Sequence, residues 1–224
     1  MSLLFAALAT GQLVLAVAAV RYWRVAPGRS TVIPALICAA LVWDNTVIAL
    51  GSTLGTGTVL EALSVPRFVL HAFLTPLLVV WSLAAAEHAG IRWALRGRVR
   101  AVTAALTGVL IAAGVLHDVL ELSLEAERWQ GTVRYANAAA SPVGPLPAIV
   151  TGLVVLVAGI VLWRRAGFPW LAVTAAVMVV VSGAAAQVPV LGNAAEVVLD
   201  VGILLTVRAF LPGRTVGATV TGTG

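Results

Sequence analysis

The stretch Val32–Gly51, VIPALICAALVWDNTVIALG, decides the class of fold. It is as long as the roughly 20 residues an α-helix needs to cross the hydrocarbon core of a bilayer, and outside Asp44-Asn45-Thr46 it is apolar. Such a run reads as a spanning helix, and the ionisable residue inside it reads as a group with a task. Six further runs of the same kind flank it: Leu3–Val20, Pro66–Ala86, Ala101–Leu122, Ala148–Trp163, Phe168–Ala186 and Val188–Leu211. The expected fold is therefore all-α, a polytopic seven-helix transmembrane bundle forming one domain over residues 1–211. A Gly- and Thr-rich tail, 212–224, is expected to be disordered on the cytoplasmic side. The last two runs are divided only around Gln187-Val188-Pro189, where a proline beside a polar residue suits a tight turn between helices.

Composition agrees. Of 224 residues 61% are hydrophobic and only 10% charged, with a mean hydropathy of +1.05, against about 25% charged residues in a soluble domain. All 14 basic residues are arginines. They lie between apolar runs, so topology explains the high isoelectric point and no nucleic-acid site is indicated. The lack of lysine excludes a retinal Schiff base. Cys38 is the single cysteine, so no disulfide framework or cysteine metal cluster is expected.

Arginine placement orients the bundle. Eleven of the 14 fall in the first, third and fifth connections and at the carboxyl end: Arg21, Arg24, Arg29, Arg92, Arg96, Arg98, Arg100, Arg164, Arg165, Arg208 and Arg214. Only Arg67, Arg128 and Arg134 fall elsewhere. By the positive-inside rule the N-terminus faces outward and the C-terminus the cytoplasm of a multi-pass cell-membrane protein. The first run has no basic residue ahead of it and is read as a retained helix, not a signal peptide. Tyr22, Trp23, Trp93, Trp163 and Trp170 fall at the cytoplasmic ends as an interfacial belt. The connection Ser123–Pro147 is expected to be a solvated external loop.

Each ionisable group within a span costs roughly 2.5–3.5 kcal/mol on insertion scales. Asp44, His71, His117, Asp118, Glu196 and Asp200 come from four runs, yet a helical rise of about 1.5 Å per residue puts them all roughly 8–18 Å below the outer ends. Asn193, Glu196 and Asp200 share a helix face, as do His117 and Glu121, and Arg67, His71 and Thr75. Interhelical hydrogen bonding alone accounts for one or two such residues, not for five acids and two histidines at one level. A polar cavity opening outward is the simpler account. Glu87 and His88, at the other end beside arginines, read as an interfacial ion pair.

Five carboxyls facing two imidazoles and Arg67 require that some acids keep their protons or that a cation be bound. The first solution is a Brønsted acid able to protonate an alkene or epoxide, with no cofactor. The second is a zinc- or magnesium-type divalent ion held by His71, His117, Asp44 and Glu196, hydrolysing a membrane lipid. A transporter or heptahelical receptor is a third reading. Transport needs a polar path to the cytoplasm, and the inner half of the sequence offers almost none.

Trp43-Asp44 in the second run and Leu199-Asp200 in the last resemble the integral-membrane terpene cyclases of fungal meroterpenoid and bacterial indole-terpenoid pathways. Those are small seven-helix proteins with Trp-Glu and Leu-Asp at these places. The resemblance implies a proton-initiated cyclisation of an isoprenoid substrate, with Asp44 or Asp200 as proton donor and Trp43, Trp81 and Phe73 stabilising cationic intermediates through their rings. This chain departs from the pattern by Asp44 in place of Glu, by Asn45 after it, and by the added His71, Glu121 and Glu196. The expected catalytic set is Asp44, Asp200, Glu196, His117, Asp118 and His71, and the expected substrate-binding set Trp43, Asn45, Phe73, Trp81, Glu121 and Asn193. The partners expected are a hydrophobic small molecule and the lipid bilayer.

Overall fold

A computed structural model describes residues 1–139, 144–185 and 188–210. The expected tail 212–224 and Gln187 of the expected turn lie outside the described residues. The fold is almost entirely helical: α1 (Ser2–Val25), α2 (Arg29–Leu54), α3 (Thr58–Leu74), α4 (Leu77–His88), α5 (Gly97–Val115), α6 (Leu146–Ala166), α7 (Trp170–Ala185) and α8 (Pro189–Ala209). Each apolar run named above is helical over most of its described residues. α1, α2, α5, α6 and α8 are each long and apolar enough to cross a membrane, α3 and α4 together make a sixth candidate, and α7 is shorter.

Two features depart from the expected pattern. The third run is not one helix: α3 starts at Thr58, takes in Pro66, and meets α4 at a bend of 42°. The break falls at Thr75-Pro76, where the proline has no N–H to give to a preceding carbonyl and the chain tightens through a Leu78 N–H to Thr75 O bond of 3.1 Å. Second, the connection Ser123–Pro147 is not simply a solvated loop. It contains an antiparallel hairpin, β1 (Leu124–Trp129) and β2 (Thr132–Asn137), with Trp129 opposite Thr132. Its two-residue turn, Gln130-Gly131, has φ of 43° and 83°, the paired positive values a tight hairpin requires.

The hairpin is bolted to the bundle. Val133 and Tyr135 pack with Val47 and Leu60, the Thr132 hydroxyl donates to Ile48 O at 3.1 Å, and Gly57 N–H donates to the Tyr135 hydroxyl at 3.1 Å. Contact is so close at Gly51 that a Cβ there would lie 1.7 Å from the Val133 carbonyl oxygen. At the opposite end Glu87 bridges Arg29 and Arg100, the latter at 2.8 Å, joining α2, α4 and α5; His88, expected in the same ion pair, instead has Nδ1 2.7 Å from Ala84 O. Between the two ends Trp81 is fully buried among Ile33, Ile37, Leu162, Leu171 and Ile203.

Candidate functional site

Beneath the hairpin lies a cavity of about 450 Å³, within the range that takes a small organic molecule. Its polar wall comes from Asp44 of α2, Arg67 and His71 of α3, His117 and Asp118 after α5, Asn137 of β2, and Asn193 and Glu196 of α8. Its apolar wall includes Ile37, Leu41, Phe68, Leu70 and Leu74. Five of the six expected catalytic residues are thus brought together, from four helical segments far apart in sequence.

Asp44 is the hub. Arg67 Nε donates to its Oδ1 at 2.7 Å and Asn193 Nδ2 to its Oδ2 at 2.7 Å, which ties α2, α3 and α8 at one point. Arg67 also donates from Nη1 to Tyr135 O at 3.3 Å and its Cζ lies 5.6 Å from the Phe68 ring centre, so this one guanidinium links the site to the hairpin. Both Asp44 oxygens thus accept hydrogen bonds from neighbouring elements.

His117 and Asp118 are adjacent in sequence, yet both face the cavity. They sit in a π-helical turn, Leu116–Leu120, that prolongs α5 and is closed by a Glu121 N–H to Leu116 O bond of 3.1 Å; such turns recur at functional sites. His117 Nδ1 pairs with Glu121 at 2.9 Å, its carbonyl accepts from Asn137 Nδ2 at 3.1 Å, and His71 Nδ1 meets the Thr75 hydroxyl at 3.3 Å. Asp118 is within Coulombic range of both imidazoles.

Glu196 faces the cavity from α8. Its Oε2 is buried and has no hydrogen-bond partner among the described residues. Asp44, Asp200 and Arg67 are within Coulombic range of it.

The remaining expected residues lie elsewhere. Asp200, only 2% exposed, is one helical turn beyond Glu196 and outside the cavity lining; Gln12 Nε2 and the Cys38 thiol, the latter at 3.3 Å, both hydrogen-bond to its Oδ2. Trp81 faces the core and donates to Ser30 O at 3.1 Å. Trp43 and Phe73 are 38% and 45% exposed on the outside of the bundle, and Phe68 holds the aromatic position in the cavity instead. Asn45 is buried and donates back to Leu41 O at 2.9 Å. Glu121 supports His117 without lining the cavity. Among the described residues no three His, Cys, Asp or Glu side chains converge as a metal site, so His71, His117, Asp44 and Glu196 share a cavity without forming a ligand set.

Sequence reasoning missed Gln12, Phe68 and Asn137 as members of these networks. Gln12 carried a readable signal, a primary amide in the middle of an apolar run. No protein-family model matches the chain, and no curated protein and no solved structure matches it.

Proposed function

We propose that this chain is a seven-span integral protein of the cell membrane, N-terminus outward, and that its cavity is the active site of an enzyme acting on an isoprenoid or similar lipid-like substrate by proton transfer. The observation that carries the reading is Glu196, a carboxyl with a buried oxygen unpartnered among the described residues, beside a cavity that is mostly apolar. A carboxyl oxygen kept from water and from hydrogen-bond donors is suited to general-acid chemistry. In this reading Glu196 delivers a proton to an alkene or epoxide of the substrate and its carboxylate takes a proton back from the cyclised cation, while the chain of the substrate lies along Phe68, Leu70 and Leu74. Asp44, Arg67 and Asn193 hold the geometry. The resemblance to membrane terpene cyclases supports cyclisation as the outcome, with the donor moved from Asp44 or Asp200 to Glu196.

The seven-span count takes α3 and α4 as one broken span and α7 as a short one. The arginine alternation supports it, because the ends that the Glu87 bridges bring together are the ends expected in the cytoplasm. Removing a general acid costs typically 10²–10⁴-fold in rate. Membranes containing the Glu196→Gln variant should therefore turn over a polyprenyl substrate at least about 100-fold more slowly than wild type, and wild-type-like turnover would reject the assignment.

A further inference from the structure

The cavity holds one more unsatisfied charge than the proposed proton transfer needs. Of its carboxyls, Asp44 is neutralised by Arg67 and Glu196 is used as the acid. Asp118 is left. No hydrogen bond to its carboxylate is made by a described residue, and the His71 and His117 side chains line the same cavity. His117 is already engaged: its Nδ1 lies 2.9 Å from the Glu121 carboxylate. His71, engaged through Nδ1 with Thr75, also presents its ring to the cavity. This wall therefore offers acceptors and a negative charge. Arg67, the one arginine among the lining residues, is spent on Asp44 and Tyr135.

Among the described residues no three His, Cys, Asp or Glu side chains converge on this wall, and the cavity is of organic-molecule size. An ammonium group fits it. It brings a positive charge and up to three N–H donors, and a carboxylate–ammonium contact is among the stronger hydrogen bonds available. We propose that the substrate carries a basic amine head, bound as ammonium against the Asp118 carboxylate, with its apolar chain laid along Phe68, Leu70 and Leu74. This deepens the function proposed above and rests on it for the lipid-like tail; the amine head rests on Asp118 alone.

The test is binding, not turnover. Purified protein in nanodiscs is titrated with a C15 isoprenyl amine, the matching alcohol and the matching carboxylic acid. The amine should bind at least about tenfold more tightly than either. Asp118→Asn should remove that preference and Asp118→Glu should restore most of it; the second variant shows that loss of binding is not loss of fold. Equal or tighter binding of the alcohol or the acid would overturn the proposal, as would an amine preference that survives Asp118→Asn. Because Glu196→Gln turnover is measured separately, failure of the amine preference leaves the general-acid reading standing, and failure of that reading leaves the amine site standing.

Discussion

At the scale of single residues, the Asp44–Arg67–Asn193 node governs the site. The Arg67 and Asp44 side chains are only 10% and 20% exposed. Their pair therefore sits between an exposed bridge, worth about 0–1 kcal/mol, and a buried one whose rupture costs roughly 3–5 kcal/mol. Arg67→Gln should destabilise the protein by about 2 kcal/mol or more, read as a lowered thermal midpoint in detergent. Asp44→Asn in the same background should cost much less than it does alone, because the charge left unpaired has been removed; additive effects would show that the pair is not coupled. Asp44, Asn193 and Glu196 were legible in the sequence because polar groups within apolar runs are expensive and helical spacing put them on common faces. Trp81 and Phe73 were not, since hydropathy gives the depth of a side chain along a span but not which way a particular helix is rotated in the bundle. Asp200 shows the same gap: it shares a stripe with Glu196, yet α1 supplies Gln12 and α2 Cys38 to enclose it.

At the scale of elements, the hairpin and the two helix irregularities shape the cavity. The Gly51 position admits no side chain, because the Val133 carbonyl occupies the place of a Cβ. Gly51→Val should therefore lift the hairpin and loosen Arg67, whose Nη1 holds Tyr135 O. The expected readout is faster proteolysis between Leu124 and Asn137 together with a lowered thermal midpoint. Protease resistance equal to wild type would mean that the hairpin does not depend on this contact. Hairpin signals were present in the sequence, in the β-prone Thr132-Val133-Arg134-Tyr135 and the glycine before it. They were outweighed because the segment lies between long apolar helices and β1 carries Glu125, Glu127 and Arg128, which read as solvated. The break at Thr75-Pro76 was hidden for a related reason. Hydropathy does not sense a missing N–H, so one apolar run covered two helices.

At the scale of the whole molecule, the seven apolar runs and their arginines made the helical architecture readable from composition alone, because the cost of polar backbone in lipid leaves few alternatives. The proposed orientation predicts that, with Cys38→Ala as background, Glu125→Cys is labelled by a membrane-impermeant maleimide on intact cells and Arg98→Cys only after permeabilisation. The reverse pattern would invert the bundle and place the cavity on the cytoplasmic side. If Glu196 hands a proton to the substrate inside this cavity, that proton is traceable by isotope transfer. Purified protein in nanodiscs made with deuterated water is given a polyprenyl alkene, and the product is weighed. The account predicts a cyclised product carrying one carbon-bound deuterium, formed by wild type and not by Glu196→Gln. A product free of deuterium, or the same labelled product at an undiminished rate from Glu196→Gln, would contradict it.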